Sequence, residues 1–209
     1  MALVYDLRQS NQSDWVPGGR MLLATRNRGK IAELEALLEG LFLKIVALDD
    51  VPRDGEVEED QSTLAGNARK KAMEWSRRTG LAALADDSGL EVSALGGRPG
   101  VHSARFAGVH ADDARNRHKL LAEMEGVEDR RARFRTVMAL ASKEDVIFFE
   151  GICEGSITRE ERGERGFGYD PVFEPRDYDR TFAEMLPVEK NAISHRALAS
   201  RKLRKFLQP

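Results

Sequence analysis

The first residues in this chain that could do chemistry are two adjacent carboxylates. In "ALADDSGLEV" (83–92) an apolar, strand-like run ends on Asp86 and Asp87, followed by the small polar pair Ser88-Gly89. Paired acids suit Mg²⁺, which takes oxygen ligands and commonly uses one or two carboxylates together with phosphate oxygens. Adjacent side chains of an extended strand point to opposite faces, so both acids reach one site only if a turn begins at Ser88-Gly89. An Asx-type turn closing the strand would use the same residues with no ligand. The loop "DDVPRDGEVEED" (49–60) offers further acids, Glu56, Glu58, Glu59 and Asp60, in a setting where surface loops are often acidic. Asp112-Asp113 reads as a helix cap.

A second group lies in "LLATRNRGKIAEL" (22–34), which passes from strand through a short turn into a helix. Backbone N–H groups at such a start form an anion site. Arg26, Arg28 and Lys30 stand near the positive end of the helix dipole, where cations are unfavourable unless an anion offsets them. A polyphosphate would do so; a solvated basic turn facing the acidic loop is the plainer reading. The segment is not a Walker loop: Ala24 stands where the first glycine is needed, and Ile31 replaces the Mg²⁺-ligating hydroxyl.

A third group is C-terminal. "GFGYDPVF" (166–173) sets aromatics in a loop held by glycines and a proline, able to stack on a base or to close over a core. "PVEKNAISHRAL" (187–198) gathers Lys190, His195 and Arg196 before or within the first turn of the last helix. His102, His110 and His118 show no metal-ligand spacing with Cys153, and no Gly-x-Ser-x-Gly elbow is present.

The elements that must position these groups follow from periodicity. "MLLAT" (21–25) and "FLKIVAL" (42–48) are strands around a helix carrying Ile31, Leu34, Leu38 and Leu41. A helix runs from a Thr63 cap to about Arg78, ahead of Gly80; another spans 112–126. Two long strands meet at the turn Lys143-Glu144-Asp145, and a final helix covers about 194–207. Early alternation of helix and strand with a late hairpin predicts an α/β fold with a mixed sheet. With 209 residues, 41% hydrophobic and 33% charged, and no internal repeat, the chain reads as one domain over 21–209. Residues 1–20 read as a loose polar arm, lacking the basic start and apolar block of a secretory signal. A net charge of −2 predicts no general attraction to nucleic acid or anionic membrane. No stretch approaches the roughly 20 apolar residues of a membrane span. The lone cysteine excludes an internal disulfide and fits a reducing, cytoplasmic setting.

Five stretches in order, "TRNRGK", "TLAGNARKKA", "ADDSGLEVSALGGRPGVHSARFAG", "GFGYDPVF" and "EKNAISHRA", together resemble the inosine triphosphate pyrophosphatase family, from Met21 to about Leu207. The resemblance implies a long curved mixed sheet with flanking helices, two lobes around a deep central cleft, and a homodimer. It implies Mg²⁺-dependent hydrolysis of non-standard purine nucleoside triphosphates (ITP, dITP, XTP) to monophosphate and pyrophosphate. By position, Thr25, Asn27 and Lys30, with their neighbours Arg26, Arg28 and Gly29, match the phosphate-contacting turn. Asp87 matches the proton acceptor and metal contact, Ser88 the substrate contact beside it, and Glu58 a second metal-associated acid. Phe167, Gly168, Tyr169 and Asp170 match the base-binding loop, with Phe167 as stacking face; Lys190, His195 and Arg196 match further substrate contacts. The family's usual T-F-x-E-N-A is here Thr63-Leu64-Ala65-Gly66-Asn67-Ala68, so Gly66 removes a carboxylate.

On this reading Asp86 is the structural partner that faces away, and Asp87 the chemical one. Donors from backbone N–H groups or Arg196 would favour the six-position oxygen of the base over adenine's amine. A pyrophosphatase for other modified nucleotides, or a nucleotide-binding protein without turnover, are the alternatives. A nucleic-acid module is disfavoured by the charge.

Overall fold

The computed structural model describes residues 15–41, 44–51, 55–108 and 112–208. Among the described residues six strands form one sheet in the order β2-β1-β3-β4-β5-β6. They are β1 (Arg20–Leu23), β2 (Lys44–Ala47), β3 (Ala82–Val92), β4 (Arg131–Ser142), β5 (Asp145–Ile157) and β6 (Phe173–Pro175). The helices are α1 (Arg28–Leu38), α2 (Leu64–Thr79), α3 (Asp113–Glu123), α4 (Pro187–Ile193) and α5 (His195–Leu207). β1 pairs parallel with β2 and β3, while β3, β4, β5 and β6 pair antiparallel, so the sheet is mixed as expected.

Local chemistry sets the helix ends. Thr63 Oγ1 accepts from Gly66 N at 3.0 Å and opens α2. Gly80, at φ 68°, closes α2 in the left-handed region and donates to Ser76 O. Asn27, Asp112 and Ser194 cap α1, α3 and α5 through their side chains.

Strand alternation then sorts the core. Leu84 of β3 packs with Met138 and Leu140 of β4 against Leu34 and Leu38 of α1 and Leu203 of α5. Ala83 and Ala85 face the other way, onto Ala68, Ala72 and Trp75 of α2. Farther along, Leu90, Val92 and Phe134 join Phe173, Phe182 and Leu120 in a second lobe. Asp86 and Ser88 therefore fall between two apolar clusters on one row of β3.

Several expectations are corrected. β3 does not turn at Ser88-Gly89, because its ladder with β4 runs unbroken from Ala83 to Val92. Asp86 and Asp87 accordingly keep their opposite faces. The hairpin turn is Lys143-Glu144, and Asp145 already pairs with Ser142. α4 is an additional short helix carrying Lys190. The loose arm does not extend to residue 20: Trp15 and Val16 are buried in the core, with the Trp15 ring edge-on to Phe206 at 5.6 Å. Arg20 opens β1, which ends at Leu23 rather than Thr25. Residues 1–14, and the first two residues of the strand expected over 42–48, lie outside the described residues.

Candidate active site

β1 stops pairing with β3 at the register Leu23↔Leu84, and only Ala24 N reaches further, to Leu84 O at 2.8 Å. Beyond that point the β1-side edge of β3 has no strand partner until Ser103 Oγ accepts from Leu90 N and Glu91 bridges to Pro99. The crevice lies where the chain leaves β1 for α1 on one face while α2 covers the other, the switch point at which open α/β sheets bind ligands. A cleft of about 750 Å³ opens there. It is lined by Thr25, Arg26, Asn27 and Lys30, by Glu58, by Asp87 and Ser88, by residues 167–170, and by Lys190, His195 and Arg196. Arg28 and Gly29 of the expected set do not line it. Arg28 is exposed, and Gly29 lies beneath Phe167.

The free edge of β3 is answered by lysines. Lys30 Nζ is 3.1 Å from Asp86 Oδ2 and 3.4 Å from Asp86 O. Lys71 Nζ donates to Asp86 O at 2.7 Å and to Glu59 Oε1 at 2.5 Å. Arg196 directs Nε and Nη2 at Asp86 Oδ2, Nη2 also at Ser88 Oγ, and Nη1 at Glu33. Ser88 Oγ is 2.5 Å from Thr136 Oγ1. Asp86 is fully buried, and although burial opposes its charge, Lys30 and then Arg196 hold its carboxyl far below the usual range. Its side chain is absent from the cleft lining.

Asp87 differs. Its Oδ2 accepts from Asn67 Nδ2 at 3.0 Å and its Oδ1 from Ser88 N at 3.1 Å. No ion pair reaches it within 4.0 Å among the described residues, and burial pushes its carboxyl up. Two neighbouring acids thus have opposite electrostatics, because one faces cations and the other faces an amide and the cleft.

The base-side loop is tightly tied. Phe167 N and Lys190 Nζ both donate to Asp170 Oδ2, at 2.9 and 2.6 Å. Gly168 N donates to Asp113 Oδ2 at 2.7 Å, and Tyr169 Oη to Ser103 O at 2.8 Å. Lys190 Nζ is 5.0 Å and Arg196 Cζ 5.7 Å from the Phe167 ring centre, close enough for cation–π attraction. His195 stacks on Phe134, with ring centres 4.6 Å apart. Its Nδ1 is buried with no partner among the described residues, and burial holds the imidazole well below its ordinary pKa.

Two expectations shift in weight. Arg196 is buried with its donors engaged by Glu33, Asp86 and Ser88, so it is not a free fork for a base. Arg26 leans instead toward Asp49 and Glu56, 3.9 and 3.6 Å away. Sequence reasoning missed Glu33, which joins Lys190 (2.7 Å) to Arg196, and Lys71, Asn67 and the role of Glu59. Glu33 lies one turn after Lys30 on the same helix face, a spacing that was available; the others become visible only in the fold.

A divalent cation such as Mg²⁺ would need oxygen donors, and two acids on the cleft offer them. Asp87 is a buried carboxylate lacking a counter-charge within ion-pair distance, and Glu58 is an exposed acid on the cleft with no ion pair among the described residues. No group of three or more His, Cys, Asp or Glu stands ready for a metal among the described residues, so phosphate oxygens and water would complete the shell.

The fold and this cleft define an α/β protein with a candidate ligand site at the switch point. The chain belongs to the Ham1 family, whose profile matches residues 21–206. It is 51% identical over 191 residues to a dITP/XTP pyrophosphatase of Desulforamulus reducens, covering 90% of this chain and 95% of that protein. It is 48% identical to the dITP/XTP pyrophosphatase of Bacillus licheniformis, covering 90% of this chain and 97% of that one. The solved structure of a HAM1 protein from Coxiella burnetii superposes with a TM-score of 0.82 at 43% identity, covering 90% of this chain and 98% of that one.

Proposed function

We propose that this chain hydrolyses non-standard purine nucleoside triphosphates, dITP, XTP and ITP, to the monophosphate and pyrophosphate. The observation that carries this is that Lys30 and Asp87 line one cleft at the switch point, in a chain half identical to dITP/XTP pyrophosphatases.

In this reading the turn Thr25–Lys30 and the Lys30 ammonium hold the triphosphate tail. Phe167 offers a ring face to the base, backed by Lys190 and Arg196. Asp87 accepts the proton of the attacking water; the water oxygen bonds to phosphorus at the α–β linkage, the bridging P–O bond breaks, and pyrophosphate leaves. Mg²⁺, held by Asp87, Glu58 and phosphate oxygens, would neutralise charge on the phosphates. Positioning and charge stabilisation supply most of the acceleration. The base's six-position oxygen would meet a donor from the backbone or from His195 Nδ1, which has no hydrogen-bond partner among the described residues, and adenine's amine would be mismatched there. We further read residues 21–209 as one catalytic domain, a homodimer working in the cytoplasm. No helix is long and apolar enough to cross a membrane among the described residues.

The test is pyrophosphate release from dITP, XTP, ITP, ATP and GTP, with Mg²⁺ and after chelation. Release from the first three, little from ATP or GTP, and loss on chelation are expected. Equal turnover of ATP and ITP, or binding of dITP without product, would overturn the reading.

A further inference from the structure

Gly66 lies in the first turn of α2, and the space beside it is filled from elsewhere. A Cβ on Gly66 would lie 2.8 Å from Gln61 Cβ, 3.3 Å from Gln61 Cγ and 3.1 Å from Thr63 Oγ1. The first separation is too short for real carbon atoms, and Gln61 Cβ is not a flexible side-chain end that could swing away. Gln61 therefore occupies the volume that a side chain at position 66 would need.

That approach has a chemical result. Gln61 N donates to Asn67 Oδ1 at 2.9 Å, while Asn67 Nδ2 donates to Asp87 Oδ2 at 3.0 Å. Asn67 is buried, and only one orientation of its amide satisfies both partners, oxygen to the loop and nitrogen to the carboxylate. The same loop carries Glu58 and Glu59, and is fastened to α2 by Glu59–Lys71 and Asp60–Lys70. Arg105 Nη2 also donates to Glu59 O at 3.2 Å. One amide thus spans from the acidic loop to the acid on the sheet.

We propose that Asn67 is a positioning residue that fixes the acidic loop and Asp87 relative to each other, and that Gly66 is the clearance Gln61 needs to reach it. The proposal rests on the pyrophosphatase reading for its consequence, but not for its geometry. Gly66 is then half of a complementary pair with Gln61 rather than a lost ligand.

The experiment compares the parent protein with Asn67→Ala, Gly66→Ala, Gln61→Gly and the Gly66→Ala/Gln61→Gly double variant. Amide exchange at residue 61 is read by NMR without nucleotide or metal, and kcat and KM for dITP are measured separately. Asn67→Ala and Gly66→Ala are expected to speed exchange at residue 61 at least about tenfold, as loss of the hydrogen bond protecting that amide should. Both should lower kcat by about tenfold to a hundredfold with KM little changed, because a small misplacement near reacting groups has that effect. In the double variant both protection and kcat should recover toward the Gln61→Gly values. Unchanged exchange in Asn67→Ala, or a double variant no better than Gly66→Ala, would overturn the proposal. Should Asn67→Ala not fold, the Gly66 and Gln61 cycle decides alone. A parent protein that releases no pyrophosphate would instead remove the functional reading, and the exchange data would still decide the clasp.

Discussion

A single oxygen of Asp86, Oδ2, receives both Nε and Nη2 of Arg196 at 3.2 Å, while Oδ1 of the same carboxylate is buried with no partner among the described residues. The pair joins β3 to α5 through residues 110 apart in sequence. Lys30 Nζ adds to the same oxygen at 3.1 Å. Asp86 is thus a structural hinge-pin, and its neighbour Asp87 is left to face the cleft.

Substitution of the two acids should separate these roles. Asp86→Asn leaves Lys30 buried without its counter-charge and Arg196 with Glu33 alone, and should lower unfolding free energy by about 3–5 kcal/mol. Asp87→Asn should fold normally and lose turnover by about a hundredfold or more, the range of a removed general base. Urea denaturation and pyrophosphate release measure the two; a comparable loss of turnover in both, with both folded, would sink the division.

Gly29 is a packing requirement of the base-side loop. A Cβ there would lie 2.5 Å from Phe167 Cδ1. Alanine is the better helix former by about 1 kcal/mol, so Gly29→Ala has no intrinsic helical penalty. It should instead displace the Phe167 ring and raise KM for dITP about tenfold, the worth of one base–aromatic stack. An unaltered KM in Gly29→Ala, beside a raised one in Phe167→Ala, would show that the ring need not rest on α1.

Glu33 balances two cations, Lys190 at 2.7 Å and the Arg196 guanidinium. Glu33→Gln removes that charge from a site open to solvent only in part, and should destabilise by about 2–4 kcal/mol. Thermal and chemical denaturation at low and high salt check this. A change within experimental error would mean that Asp170 and Asp86 suffice to neutralise the pair.

Stability should fall on mild acidification. Burial, and then the charges of Arg196 and Lys190, keep His195 from protonating until well below its ordinary value of 6.5. The unfolded chain takes up that proton near its ordinary value, so it binds more protons than the native state as pH drops below that point. The sign is therefore loss of stability with falling pH, at most about 1.4 kcal/mol per pH unit from this one group. Urea midpoints between pH 7.5 and 5.5 (about that window) should decline in the parent and flatten in His195→Gln. An equal decline in the variant would assign the effect to other groups.

What could be read from sequence was local. Thr63 and Gly80 announced both ends of α2, and Ser194 announced the start of α5, because caps act within one turn. α4 was missed since it has only seven residues and begins at a proline. Ser88-Gly89 carried turn chemistry that a ten-residue ladder with β4 overrode. The roles of Lys71 and Asn67 were illegible, because their partners Asp86 and Asp87 lie 15 and 20 residues away and meet them only after α2 docks. Trp15 hid in a polar segment, and its burial depends on Phe206 at the opposite end of the chain.

The early end of β1 has one more consequence. An uncovered strand edge is a template on which a second chain can add, the usual start of aggregation. Between Leu84 and the Glu91–Pro99 bridge the edge of β3 presents such a template, yet Lys30 and Lys71 place two ammonium groups on the Asp86 carbonyl, and Ser103 Oγ accepts from Leu90 N at 2.9 Å. A docking strand would have to strip these partners and bury both charges. The lysines that line this crevice thus also act as gatekeepers, keeping the sheet from growing through the proposed binding site.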